Sequence, residues 1–176
     1  GDTIGLVGNT GNARNTPSHL HFGIYTSGGA IDPLAFVDRE ITPALPVTAS
    51  LTQLNATIRT DNIVNKLYDA PTEKGTTMLN LPKNAVLTVD AAAGSWYKVK
   101  LPDGLTGYIS SKTITDANTL RNITLKNAQS LFDAPDSLNA PSKKTLIAGN
   151  KVAVLGTYKN YYLVKDDEET GWITVE

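Results

Sequence analysis

The sequence predicts an all-β protein assembled from small antiparallel barrels, and three observations carry that expectation. Apolar residues fall in short runs of four to six, rich in Val, Ile, Leu, Tyr and Trp and bounded by Gly, Pro, Asn or Asp, which is the pattern of short strands. No stretch sustains a helical period, and one turn at Ser110-Ser111-Lys112 is the most the pattern allows. The later part of the chain is a repeat. Leu67-Tyr68-Asp69-Ala70-Pro71 returns as Leu131-Phe132-Asp133-Ala134-Pro135 at an offset of 64 residues, and Thr106-Gly107-Tyr108-Ile109 as Thr170-Gly171-Trp172-Ile173 at the same offset. Between them, Trp96-Tyr97-Lys98-Val99-Lys100 returns as Tyr161-Tyr162-Leu163-Val164-Lys165 at an offset of 65. Three blocks in one order at a nearly constant spacing mark two copies of one unit. Units of about 60 residues with five or so short strands close as small barrels. A core of that size is marginal alone, so the copies are expected to pack on each other.

Taken in order, residues 1–38 hold seven of the 14 glycines, from Gly1 to Gly29. Between the glycines, Ile4-Gly5-Leu6-Val7 and Leu20-His21-Phe22-Gly23-Ile24-Tyr25 read as short strands joined by tight turns. Residues 39–55 place Pro43 and Pro46 among Thr, Ala and Ser, the composition of a linker or an extended crossing segment. The first barrel is expected over 56–116, with strands at Val86-Leu87-Thr88-Val89, Tyr97-Lys98-Val99-Lys100-Leu101 and Gly107-Tyr108-Ile109, and a hairpin turn at Pro102-Asp103-Gly104. The second is expected over 117–176, with strands at Val152-Ala153-Val154-Leu155, Tyr161-Tyr162-Leu163-Val164 and Gly171-Trp172-Ile173. The acidic run Asp166-Asp167-Glu168-Glu169 then reads as a solvated hairpin tip.

Charge and composition narrow the function classes. Sixteen Lys and Arg against 17 Asp and Glu leave a net charge of −1, so no strong field draws the chain to nucleic acid or anionic lipid, and neither is expected as a partner. With 40% hydrophobic and 19% charged residues the chain is expected to be globular, and the absence of an apolar run of about 18 residues predicts no membrane span. There is no cysteine, hence no disulfide, no thiolate nucleophile and no thiolate metal site. Any zinc would have to be held by His, Asp or Glu. The two histidines, His19 and His21, both lie in the first eighth of the chain.

The stretch Gly5-Leu6-Val7-Gly8-Asn9-Thr10-Gly11-Asn12-Ala13, followed by Pro17-Ser18-His19-Leu20-His21-Phe22-Gly23-Ile24-Tyr25 and Ile31-Asp32-Pro33, resembles the end of the lysostaphin-type (LytM-like) zinc peptidase domain, a β-sheet fold of the duplicated hybrid motif type. In the repeat, the two Asp-Ala-Pro blocks and the Gly-Tyr-Ile and Gly-Trp-Ile blocks resemble bacterial SH3-like domains. The first resemblance implies a zinc-dependent endopeptidase of peptidoglycan, cutting peptide bonds of murein stems or cross-bridges. Carried over residue by residue, it makes His21 a zinc ligand and His19 the catalytic base or transition-state stabiliser. The family's remaining zinc ligands come from an earlier HxxxD-type motif that these 176 residues lack, so the chain reads as the tail of a peptidase domain, and the fragment alone is expected to be inactive.

Residues two apart on a strand share a face, so His19 and His21 would project side by side, as a metal ligand with a neighbouring acid–base requires. Without the family, such a pair reads more readily as two half-exposed surface or core-edge residues than as a metal site. Asp32, standing before Pro33, reads as a turn former rather than a ligand. Asn9, Asn12, Arg14 and Asn15 read either as groove lining or as solvated loop. In the barrels, Trp96, Tyr97, Tyr108, Tyr161, Tyr162 and Trp172 could serve binding or packing, and packing is favoured because a small barrel needs large side chains to fill it. Tyr68 and Phe132 are placed in the loop that borders the ligand groove of SH3-like domains. The expected whole is a bacterial cell-envelope hydrolase, periplasmic or secreted, whose barrels hold peptidoglycan peptides or glycan. The alternative is a non-catalytic wall-binding or activator protein with a degenerate peptidase domain.

Overall fold

The computed structural model describes all residues except 4, 12, 13, 21, 32, 38–45, 168 and 176. The chain divides into two compact units, Gly1–Ala44 and Leu45–Glu176. The fold is all-β as expected, and among the described residues no helix exceeds four residues.

The first unit holds one hairpin, β1 (Ile24–Thr26) with β2 (Gly29–Ile31), followed by a single helical turn at Leu34–Val37. Its turn is locked by Thr26, whose hydroxyl accepts from the Gly28 amide at 3.2 Å and donates to the Gly29 carbonyl at 3.2 Å. Gly29 sits at φ 110°, which only glycine adopts without strain. The strands expected at Ile4–Val7 and Leu20–Tyr25 are corrected. Residues 5–7 and the described residues of 19–23 lie outside any strand, and β1 begins only at Ile24. The physical reason is pairing. Only 24–26 pairs in a ladder among the described residues, and apolar alternation without a ladder does not make a strand. Ile4, His21 and Asp32 lie outside the described residues, as does the linker through Leu45.

The second unit opens with a segment docked onto its first sheet. Thr48 and Ala49 both donate to the Gly94 carbonyl, at 2.8 and 2.9 Å, and the Tyr97 hydroxyl donates to the Ser50 carbonyl at 2.7 Å. Seven strands follow: β3 (Thr57–Thr60), β4 (Val64–Tyr68), β5 (Thr77–Pro82), β6 (Val86–Ala93), β7 (Trp96–Lys100), β8 (Thr106–Ser110) and β9 (Ile114–Asp116). They are ordered β5-β4-β8-β7-β6-β3-β9, with every pair antiparallel. The second sheet comprises β10 (Arg121–Thr124), β11 (Gln129–Phe132), β12 (Ser142–Leu146), β13 (Lys151–Tyr158), β14 (Tyr161–Asp166) and β15 (Glu169–Thr174), ordered β10-β13-β14-β15-β11-β12. Tyr68 and Phe132, expected in a loop, are the last residues of β4 and β11.

The repeat is visible in the irregularities as well as in the strands. The register slips between Val89 and Ala91 in β6 and between Val154 and Gly156 in β13, and between Leu67 and Tyr68 in β4 and Leu131 and Phe132 in β11. The left-handed turn residue Gly94 (φ 57°) has Lys159 (φ 50°) as its counterpart. In each copy a single pair, Tyr68 with Tyr108 or Phe132 with Trp172, joins the hairpin to the three-strand meander. At that crossing stands a glycine. A Cβ on Gly107 would meet Leu67 Cγ at 2.7 Å and the Tyr68 carbonyl oxygen at 2.9 Å, and one on Gly171 would meet Leu131 Cγ at 2.6 Å and the Phe132 oxygen at 2.9 Å.

Alternation places Ile58, Leu67, Leu87, Val89, Val99 and Ile109 inside the first barrel and Leu131, Leu146, Val152, Val154, Val164 and Ile173 inside the second. In β14 and β15 the alternation fails: Leu163 and Val164 are both buried, as are Trp172 and Ile173. These strands are covered on both faces. Val164 and Ile173 fill their own barrel, whereas Leu163, Trp172 and Tyr158 belong to a cluster shared with Val86 of the first barrel. The expected packing between copies is therefore present. Thr157 donates its amide to the Asn84 carbonyl at 2.8 Å, and a Cβ on Gly156 would collide with Val86 Cγ2.

Asp103, at the tip of the β7–β8 hairpin, accepts hydrogen bonds from the Tyr158 hydroxyl and, at 3.2 Å, from Lys159 Nζ. The Tyr158 bond, with help from the Leu105 amide and Lys159, lowers the Asp103 carboxyl below its usual range, while burial and then Asp103 raise the Tyr158 hydroxyl. The signs give two windows. Asp103 contributes stability above its unfolded value of about 4 and loses it as pH falls further. Tyr158 contributes up to its unfolded value of about 10 and loses it as pH rises beyond. Because the Asp103 side chain is 39% exposed, the acid-side effect is expected to be about 0.5 kcal/mol. Urea midpoints across pH 2–5 check this: Tyr158→Phe should flatten the decline, and an unchanged profile would refute the link.

The acidic turn is also more than a solvated tip. Lys144 of β12 reaches Asp166 at 2.7 Å and Glu169 at 3.2 Å, and the Asp166 side chain is only 15% exposed. Glu168 lies outside the described residues.

Candidate functional site

The glycine-rich segment of the first unit folds back on the histidine segment. The His19 amide donates to the Gly8 carbonyl at 3.3 Å, and Asn9 Nδ2 donates to the Thr16 carbonyl at 2.9 Å. His19 is exposed, and its Nδ1 lies 2.7 Å from the Pro17 carbonyl oxygen. A carbonyl only accepts, so Nδ1 carries the proton, and in the neutral ring Nε2 is the acceptor nitrogen. Such a carbonyl contact orients a histidine used as base or ligand. His21, the expected zinc ligand, lies outside the described residues, so the two rings are not placed relative to each other. A catalytic zinc needs three protein ligands, and among the described residues no three His, Asp or Glu side chains converge. The described residues by themselves do not fit such a zinc.

The barrels carry a second candidate. On the outer face of the first sheet, Trp96 and Lys98 of β7 share a face with Tyr108 of β8 and Tyr68 of β4, because their registers pair Lys98 with Tyr108 and Tyr108 with Tyr68. Tyr68 and Trp96 meet edge to face, with ring centroids 5.5 Å apart at 89°. All three aromatic residues are half-buried, and Lys98 is exposed. The edge-to-face pair is held against the sheet, leaving a rigid amphipathic surface beside an ammonium group. Tyr97, by contrast, is a core residue at 1% exposure.

The second copy builds the same face from Tyr161, Leu163, Trp172 and Phe132, and that face is spent on packing. Trp172 is 6% exposed and meets Tyr158 edge to face at 6.4 Å, while Phe132 and Tyr161 pack against the shared cluster. The decisive change is Leu163 where the first copy has Lys98. Sequence reasoning pooled all these aromatics and missed that difference, although it stands in the open when the two copies are aligned.

Residues 64–115 match the model of the bacterial SH3 domain, and residues 120–176 match that of the GW (Gly-Tryp) dipeptide domain. Both domains are thus present, and Gly171-Trp172 is such a dipeptide. No curated protein matches the chain. Among solved structures, NlpC2 from Trichomonas vaginalis is similar at 12% identity over 69% of this chain and 46% of its own, with a TM-score of 0.42. NlpC1 from Trichomonas vaginalis is similar at 14% identity over 76% of this chain and 50% of its own, also at 0.42. The chain spans about half the length of these structures.

Proposed function

We propose that the chain is a wall-binding part of a bacterial peptidoglycan hydrolase, in which the barrels hold the wall and residues 1–38 belong to a zinc endopeptidase domain. The observation that carries the wall-binding reading is the half-buried aromatic face of the first barrel, Tyr68, Trp96 and Tyr108 beside the exposed Lys98, in a chain whose barrels match a bacterial SH3 domain and a GW domain. Rigid aromatic side chains at the centre of a contact contribute most of its affinity. The location that follows is extracytoplasmic, at the bacterial envelope.

The peptidase reading is supported by the His19–Pro17 contact, which sets the ring tautomer, and by apolar side chains of the first unit that lack cover. Leu6 is 95% exposed, Leu20 78% and Phe22 56%. Large apolar side chains left this exposed are expected to dock against something else. In this reading that cover is the rest of a peptidase sheet, which would also complete the zinc site with ligands from beyond these residues. His21 would supply one ligand, and His19 Nε2 would be the ring nitrogen placed to accept a proton from water.

Co-sedimentation with insoluble peptidoglycan tests the binding. Tyr68→Ala and Lys98→Glu are each expected to weaken binding about tenfold, and unchanged binding in both would overturn it. For the peptidase, a longer protein containing this chain should hold about one zinc and solubilise peptidoglycan. His21→Ala should abolish both, and retention of both would sink the assignment. Wall binding with neither zinc nor hydrolysis would leave the barrels as a binding module only.

A further inference from the structure

We infer that the outer edge of β10, with the groove beside it, is a docking site for an extended strand of another polypeptide, one that carries an aliphatic residue preceded by a carboxylate. This goes beyond the wall-binding reading and uses a different surface. The repeat supplies the comparison. Leu125 donates its amide to the Asn150 carbonyl and accepts the Gly149 amide, as Thr60 donates to the Ala85 carbonyl and accepts the Asn84 amide. β10 is therefore the counterpart of β3 at an offset of 65 residues. β3 is paired on both sides, with β6 and with β9, and Arg59 lies opposite Thr115 and Thr60 opposite Ile114. β10 pairs with β13 alone and ends its sheet. Successive residues of an antiparallel strand address opposite neighbours. Leu125 addresses the β13 side, so the amides of Thr124 and Lys126 point to the outer edge. Their counterparts Arg59 and Asp61 are the residues that meet the β9 segment, where the Asp61 amide donates to the Thr113 carbonyl at 2.9 Å.

The first copy also shows what fits such an edge. Beside β10 runs a groove of about 350 Å³ whose apolar wall is Ile123, Leu125, Tyr162 and Ile173. In the first copy the matching Ile58 and Tyr97 are fully buried, whereas Ile123 and Tyr162 are half-buried. The difference is cover. Ile114 of β9 packs on the cluster that holds Ile58 and Tyr97. The complement of the groove is thus an aliphatic side chain on an extended strand. The charge beside it is reversed between copies. The first edge runs on into Asp61, and the strand seated there is preceded by Lys112. The second edge runs on into Lys126, which is exposed, and no Asp or Glu is among the described residues that line the groove. A carboxylate in the place of Lys112 is the matching partner. Strand addition draws its affinity from main-chain hydrogen bonds and its specificity from alternate side chains, and this edge offers both.

Nuclear magnetic resonance of the whole 176-residue chain tests this with two synthetic peptides, Ser-Lys-Thr-Ile-Thr-Asp, which copies residues 111–116, and Ser-Glu-Thr-Ile-Thr-Asp. The glutamate peptide should shift the Thr124 and Lys126 amides and the Tyr162 ring signals and should slow hydrogen exchange at both amides. It should bind about threefold tighter than the lysine peptide, the scale of one exposed ion pair. N-methylation of its second threonine, which stands where Thr115 meets Arg59, should weaken binding about tenfold by removing a ladder hydrogen bond. Lys126→Glu, at an exposed position, should invert the preference between the two peptides without moving the urea midpoint or the sedimentation with peptidoglycan. Unmoved Thr124 and Lys126 amides at millimolar peptide, equal binding of the two peptides, or undiminished binding of the N-methylated form would each overturn the inference. Shifts at the same amides that grow with the concentration of the chain itself, before peptide is added, would give the edge to a second copy and overturn it as well.

Discussion

Gly171→Ala is expected to cost about 1–3 kcal/mol and to move the urea midpoint down by about 1 M. The added methyl would stand 2.6 Å from Leu131 Cγ and 2.9 Å from the Phe132 carbonyl oxygen. Leucine can turn aside, but the carbonyl is backbone and belongs to the single register pair, Phe132 with Trp172, that joins β11 to β15. Relief therefore requires the hairpin β11–β12 to separate from the meander. Gly107→Ala should behave alike in the first barrel, where Leu67 Cγ and the Tyr68 oxygen stand at 2.7 and 2.9 Å. Gly94→Asn is the contrasting case. Gly94 has φ 57° and nothing near its Cβ position, and asparagine tolerates that conformation, so a loss well below 1 kcal/mol is expected. Equal midpoints for Gly171→Ala and the native chain would refute the crossing argument.

Trp172→Ala should be costlier still, at about 3–5 kcal/mol for a large aromatic removed from a packed cluster, and should change the form of unfolding as well as its midpoint. Trp172 packs in the cluster that contains Val86 of the first barrel. The native pair is expected to unfold in one transition, and the variant in two, the second barrel first. Trp96, in the first barrel, then remains as the sole indole reporter, while far-ultraviolet circular dichroism follows both. Tyr108→Ala, at the equivalent half-buried position, should cost about 1 kcal/mol and leave one transition. Coincident fluorescence and dichroism curves for Trp172→Ala, or equal costs for the two variants, would show that the junction does not couple the barrels.

These results bear on what could be read from residues alone. The repeat located β6–β8 and β13–β15 because those strands alternate strongly and end at Gly, Pro or Asp. It missed β12, Ser142–Leu146, because an edge strand with one buried residue carries almost no apolar signal. It also missed β10, Arg121–Thr124, an edge strand with no buried residue. In the first unit the error ran the other way: Leu6, Val7, Leu20 and Phe22 have strand chemistry, but pairing is a property of neighbours, not of a segment. Of the pooled aromatics, Tyr97 and Trp172 are buried, as packing predicts. What separates the half-buried face of the first copy from the packed face of the second is the single exchange of Lys98 for Leu163, whose meaning depends on which surface each copy turns toward the other.

The way the second barrel sits on the first has a consequence for assembly. Its aromatic face docks on the outer side of β6 around Val86, a head-to-tail contact between unlike surfaces, and contacts of that kind can propagate without end. The position in β13 that corresponds to Val86 is Lys151, exposed and charged, so the second barrel presents no apolar seat for a third aromatic face. Lys151 thus withholds from the second barrel the apolar seat that Val86 gives in the first.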